Sequence, residues 1–213
     1  MTTLEHIAEK YNLNLNQRSL PITIPNMGRR QLPDLFKELG FEKGVEIGVA
    51  NGWFSNHMMK HMPEVELWGV DPYERQEGYI DYKLSTTFKR MEEEAHKRLD
   101  PYPNYHFLRK TSAEALDDFV DGELDFVYLD GDHCFEQVTF DIAKWSKKVK
   151  KGGIISGHDF AKHKRPETKI HVVQAVRGYT DSYKIKPWFI IGNESNNEGL
   201  IRDKIRSWCW VIE

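Results

Sequence analysis

Two short stretches of the chain set acid–base side chains at matching points. YLDGDHCFE (128–136) carries Asp130 at what reads as a strand end, with Asp132 and His133 just beyond; SGHDF (156–160) closes the next strand with His158 and Asp159. If adjacent parallel strands carry the two segments, these side chains converge on one rim of a sheet. Singly, each would pass as a turn former or a hydrogen-bonded structural residue; together they read as a site. A histidine titrates near neutrality and can take the proton of a hydroxyl, and a divalent cation can lower that hydroxyl's pKa. Asp130 and Asp159 offer hard oxygens that suit magnesium, whereas a histidine ligand such as His158 favours manganese, iron or zinc. The residues leave open which histidine is the base. Asp132 and Glu136 read as helix N-terminal charges, and Asp141 as a structural residue inside the same helix.

A second constellation precedes these. GVEIGVANGW (44–53) is an apolar strand that breaks into Gly48, Ala50, Asn51 and Gly52 before a helix. Such a turn brings backbone close to a ligand and aims helix amides at it. The spacing is G-x-x-x-G and lacks the middle glycine that lets a dinucleotide pyrophosphate approach. Glu46, on the strand leading into the turn, would repel phosphates and suit a cationic group. Asp71 closes the following strand, VELWGVD, where an acidic side chain can accept both hydroxyls of a ribose; the plainer alternative is a turn-forming Asp before Pro72.

The elements that must position these residues alternate. Helices are expected at 3–11, 31–39 (ended by Gly40), 53–61, 112–120 and 135–149, and strands at 44–49, 65–71, 105–109, 124–130 and 153–159. Nearly continuous apolar strands alternating with helices imply an α/β fold: an open, mostly parallel sheet with helices on both faces. The runs KPWFIIG (186–192) and RSWCWVIE (206–213) lack a helix-length crossover and are expected to pair as an antiparallel C-terminal hairpin at one edge. One domain spans 1–213, with a helical extension over 1–40 and insertions at 74–103 and 160–181 placed to cover a site at the carboxyl ends of the strands. Tyr79, Tyr82 and Phe88 in the first insertion are candidate cover residues. In the second, His163, Lys164 and Arg165 are candidate contacts for a polar substrate, and Val172, Val173 and Val176 the core side of a helix from Ile170.

VEIGVANGWFS, WGVDPY and DFVYLDGDHCFEQVTFDIAKWSKKVKKGGIISGHDF resemble successive motifs of class I S-adenosylmethionine-dependent methyltransferases. They are especially similar to the branch with D-G-x-H after the fourth strand, which includes enzymes acting on sugars and antibiotic hydroxyls. The resemblance covers about residues 40 to 160 and implies a Rossmann-like sheet of about seven strands, one antiparallel. It implies that Glu46, Gly48 and Gly52 surround the methionine part of the cofactor, with Ala50 and Asn51 also in the cofactor-binding turn. Asp71 would hold the ribose beside Pro72 and Tyr73, and Ser112 and Ala113 would lie against adenine. It further implies that His133 is a base and Asp130 a metal ligand, with an acidic pair after the fifth strand. Here His158 replaces the first of that pair and only Asp159 is acidic. The implied activity is O-methylation of a small-molecule hydroxyl with S-adenosyl-L-methionine, assisted by Mg2+ or Mn2+. An NAD-dependent oxidoreductase is disfavoured by the missing glycine but allowed by Asp71. A non-catalytic cofactor-binding module is a further alternative.

Composition narrows the setting. Of 213 residues, 39% are hydrophobic and 30% charged, which fits a soluble globular chain, and a formal net charge of -3 argues against nucleic acid as partner. The basic cluster Lys147, Lys148, Lys150 and Lys151 is expected at a helix end, where lysines complement the dipole. No apolar run approaches the roughly 20 residues needed to cross a bilayer, and MTTLEHIAEKYNLN has no signal-peptide core, so a cytoplasmic location without membrane contact is expected. Cys134 and Cys209 form no C-x-x-C pair and are expected to be reduced.

Overall fold

Apolar strands alternating with half-buried helices assemble into one eight-stranded sheet in the structure, a computed structural model that describes residues 1–75, 85–161, 170–194 and 198–213. Its strands are β1 (Ile22–Ile24), β2 (Lys43–Ile47), β3 (Glu66–Val70), β4 (Tyr105–Leu108), β5 (Leu124–Leu129), β6 (Val149–Phe160), β7 (Phe189–Ile191) and β8 (Arg206–Val211). The helices are α1 (Thr3–Lys10), α2 (Leu32–Glu38), α3 (Trp53–His61), α4 (Ser85–Leu99), α5 (Phe135–Trp145) and α6 (Val172–Ser182). Among these, no helix is long and apolar enough to cross a membrane.

The strand order is β1-β7-β8-β6-β5-β2-β3-β4. Only β8 runs antiparallel to its neighbours, β6 and β7. Period-2 alternation along the strands separates two cores. Tyr128 and Cys209 face one side, with Ile7, Phe36, Met58 and Leu99 from α1 to α4. Trp208 and Trp210 face the other, with Trp145 of α5 and Val176 of α6.

Several boundaries differ from expectation. The sheet has eight strands because ITI (22–24), inside the stretch read as a helical extension, pairs in parallel with β7. The C-terminal pair is therefore not at the edge: β1 covers β7, and β8 lies between β7 and β6. Three residues are too short for alternation to register, so only pairing with β7 reveals the strand. The helix expected over 112–120 is a 3-10 turn, Glu114–Asp118, and α5 stops at Trp145 rather than 149. Lys150 and Lys151 consequently begin β6 instead of ending a helix.

The stretch 74–103 contains the crossover from β3 to β4. Its helix α4 buries Phe88, Ala95 and Leu99 at helical spacing beneath a surface of charged residues. Of the second insertion, α6 buries Val172 and Val176, while Val173 is half-buried against the same core. Tyr79, Tyr82, His163, Lys164 and Arg165 lie outside the described residues.

From β2 the chain moves outward to β3 and β4, then returns to β5 on β2's other side. That reversal opens a crevice at the carboxyl ends of the strands, the usual ligand position in open α/β sheets.

Candidate functional site

The crevice is a cavity of about 740 Å³ whose wall comes from the ends of β2 and β3 and the segments that follow β2, β3, β4 and β5, together with Arg29 and residues of α3, α4 and α5. At the turn after β2, Gly48 has φ +88°, and a Cβ there would stand 2.3 Å from the backbone oxygen of Asp130. Only glycine lets the ends of β2 and β5 close together across the reversal. Gly52, at φ +76°, serves packing: its Cβ would meet Leu99 of α4 at 2.7 Å, and it is not among the described cavity residues.

Asp71 organises this turn. Its Oδ2 accepts from the amides of Val49 (3.1 Å) and Ala50 (2.9 Å), and its Oδ1 from the amide of Tyr73 (2.9 Å). Ala50 and Tyr73 both adopt φ 48°, a costly conformation outside glycine that clusters at binding sites. Burial raises the Asp71 pKa, against the pull of the three amides. Turn former and ligand acceptor are thus compatible roles, since each carboxylate oxygen carries two lone pairs and Asp71 lines the cavity.

Glu46 is 1% exposed. The Ser55 hydroxyl donates to its Oε2 and lies 3.1 Å from the Tyr105 hydroxyl. Burial pushes the Glu46 pKa up to about 8, although Arg29 and Ser55 act in the opposite direction. A cationic ligand group in the cavity would favour its ionised form.

Beyond β4, Ser112 donates to Asp141 Oδ1 at 2.6 Å, and the Gln137 side-chain amide donates to both Ser112 Oγ and Asp141 Oδ1 at 2.9 Å. Asp141, read from sequence as structural, belongs to the cavity wall, and burial pushes its pKa up to about 7. A planar base with both donors and acceptors would find matching groups here. Pro72, Tyr73 and Ala113 line the same side, as does Phe88.

At the far end the acid–base residues do converge. His133 Nε2 lies 3.1 Å from Asp159 Oδ2 and 3.9 Å from Asp130 Oδ1; His158 Nδ1 lies 3.0 Å from Asp159 Oδ2 and 3.6 Å from Asp130 Oδ1. Asp159 adopts φ 58°, at a register irregularity between Gly157 and Phe160 of β6. Burial opposes the charge on Asp130, but Arg29, His133 and His158 outweigh it and hold the pKa at about 2. Burial likewise opposes the charge on His158, yet Asp130 and Asp159 raise its pKa to about 9. Asp159 is held well below the usual carboxylate range by the two histidines, again against burial. His133 lines the cavity, and His158 is not among its described residues.

Arg29, from the segment before α2, was not singled out by sequence. Its Nη2 donates to Asp130 Oδ2 at 2.6 Å, and its guanidinium lies 4.1 Å from the Phe54 ring centroid and 5.1 Å from that of Tyr128. The dipeptide RR after MG carries no motif and gave no signal. Asp130, His133 and Asp159 bring possible ligand atoms within 4.8 Å of one another; His158, expected among the ligands, is not in that set. Asp132 Oδ1 accepts from the Cys134 amide at the start of α5, as befits a helix-entry residue. Burial raises the pKa of the Cys134 thiol and takes that of Cys209 to about 12, so neither is an activated nucleophile.

A sequence profile of a family described as a methyltransferase domain matches residues 45–160. Among curated proteins, the uncharacterized protein y4gI of Sinorhizobium fredii is 38% identical over 52 residues, which is 24% of this chain and only 6% of that protein's length. The fold is similar to that of the O-methyltransferase from Bacillus cereus in complex with SAH, with TM-score 0.60 and 14% identity over 99% of this chain and 90% of that one. It is also similar to the O-methyltransferase TomG from Streptomyces achromogenes, involved in tomaymycin synthesis and in complex with SAM, with TM-score 0.57 and 13% identity over 99% and 90%.

Proposed function

The chain belongs to the methyltransferase-domain family, and on that premise we propose that it moves a methyl group from S-adenosylmethionine to a hydroxyl of a small molecule. The observation that carries this reading is a single cavity joining the carboxylates of Glu46 and Asp71 to the imidazole of His133. Its volume, about 740 Å³, lies within the usual range for small-molecule sites.

The donor set fits the cofactor. Glu46 suits its ammonium group, Asp71 Oδ1 a ribose hydroxyl, and Ser112, Ala113, Gln137 and Asp141 its base. S-adenosylmethionine, when bound, supplies a methyl group activated by a positively charged sulfur. His133 would take the proton of the acceptor hydroxyl as that oxygen accepts the methyl group. Asp159, 3.1 Å from His133 Nε2, holds the ring and stabilises the imidazolium that results. His158 is the weaker candidate for base, because its pKa of about 9 keeps it protonated at neutral pH. Magnesium or manganese has no step in this scheme, in which the fixed charge of the Arg29 guanidinium already balances the Asp130 carboxylate.

Calorimetric titration with S-adenosylmethionine, with NAD as competitor, tests the cofactor. Micromolar binding that Asp71→Ala weakens would support the reading, and no binding to the folded wild-type protein would sink it. A panel of sugar and phenol hydroxyls with methyl-labelled cofactor then tests the acceptor class. Transfer only to nitrogen or carbon would overturn O-methylation.

A further inference from the structure

The side chain that completes the acid–base cluster comes from outside the matched region. Arg29 opens the 3-10 turn Arg29–Gln31, and its backbone amide donates to Asp203 Oδ2 at 3.3 Å. From there its side chain reaches the rim of the sheet and bonds Asp130 Oδ2 at 2.6 Å. The guanidinium packs against the neighbouring rings of Phe54 and Tyr128 and lies 3.9 Å from Glu46 Oε1. Cation–π contacts on two rings and a carboxylate partner fix one orientation for a group that cannot lose its charge.

The same Asp130 belongs to the described cluster whose geometry suits a metal ion, with His133 and Asp159. An ion seated there would share the Asp130 carboxylate with a fixed positive charge. Like charges on one carboxylate repel strongly where water is scarce. The guanidinium also already does for Asp130 what an ion would do, keeping it ionised and oriented toward the histidines.

We propose that Arg29 replaces a divalent cation at this rim: it positions Asp130, keeps the Asp130–His133–Asp159 cluster from taking up metal, and makes methyl transfer by this chain cation-independent. The cation-independence part rests on the methyltransferase reading above; the exclusion of metal from the cluster does not. Arg29 is thus a positioning residue, acting on the site through Asp130.

The experiment is a titration of chelator-treated protein with Mn2+ alone, following free Mn2+ by electron paramagnetic resonance. Wild-type protein should show no saturable site at micromolar metal. Arg29→Met should gain one, binding roughly tenfold tighter or more than wild type, and adding Asp130→Asn should abolish the gain. Arg29→Lys, which keeps the charge, should stay metal-free and serves as the folded control if Arg29→Met is unstable. Micromolar Mn2+ binding by the wild type, lost on Asp130→Asn, would overturn the proposal. So would a folded Arg29→Met protein that gains no site, or Mn2+ binding by Arg29→Lys equal to that expected of Arg29→Met. These titrations need neither cofactor nor acceptor, so failure of S-adenosylmethionine to bind would sink the methyltransferase reading and leave the metal result standing. If the cofactor does bind, methyl transfer should persist in chelator.

Discussion

The two ends of the cavity are held by different means. Around Asp71 the partners are main-chain amides of Val49, Ala50 and Tyr73, in a turn that Gly48 allows. Around Asp130 the partners are side chains: His133, His158 and Arg29, the last 101 positions away. Backbone donors cannot be titrated or substituted, whereas every member of the second group can be changed singly. The Asp71 end should therefore behave as a rigid cradle and the Asp130 end as an electrostatic network sensitive to each of its members.

The largest expected effect separates the ends through the chemistry. His133→Ala should lower kcat by about 10²- to 10⁴-fold while leaving the S-adenosylmethionine Kd within a factor of about two of wild type. Equal losses in both quantities would mean that the ends are not separable. Gly48→Ala tests whether backbone is the common support. With φ +88° and a blocked Cβ, it should destabilise the fold by about 3 kcal/mol or more in a urea titration, affecting both ends together. A neutral result would remove the argument that the reversal between β2 and β5 demands glycine.

Asp71→Ala should act on the cradle, weakening cofactor binding by about 2 kcal/mol through lost bonds to charged oxygens. If instead it altered only kcat, the assignment of ends would be wrong.

The smallest effect is a pH slope. The pKa of Glu46 is raised by burial to about 8 in the folded protein from an ordinary 4.5, so the folded state keeps a proton that the unfolded state releases in that window. Its contribution is fully present below pH 4.5 and is lost as pH rises toward 8, at up to about 1.4 kcal/mol per unit. Asp130 works the other way: held at about 2, it contributes stability above its ordinary 3.8 that is lost as pH falls through 2. Glu46→Gln should flatten the slope between about pH 4.5 and 8 in urea titrations and leave the acid limb below it in place. An unchanged slope would show that Glu46 is ionised in the folded protein.

What could be read along the chain was local. GVEIGVANGW declared its turn because glycines and strand residues within ten positions decide that geometry, and α3 begins and ends where the pattern placed it. Asp130, His133, His158 and Asp159 were legible because parallel strands in register bring equivalent ends together. The crossover helix α4 was also within reach: Phe88, Ala95 and Leu99 form a helical stripe, masked by the surrounding charge.

What tertiary structure alone decided depends on contacts between distant segments. β1 is a strand because β7 pairs with it. Asp141 belongs to the cavity because Ser112, 29 positions earlier, lies beside it, and burial there raises its pKa. Arg29 reaches Asp130 because α2 and α3 pack that segment against the rim, where two aromatic faces and a carboxylate hold the guanidinium. Hydrophobic period and turn chemistry act over a few residues and set which elements form and which acids and histidines share a sheet end. The desolvated surroundings that give those groups their charges arise only when remote elements close over them.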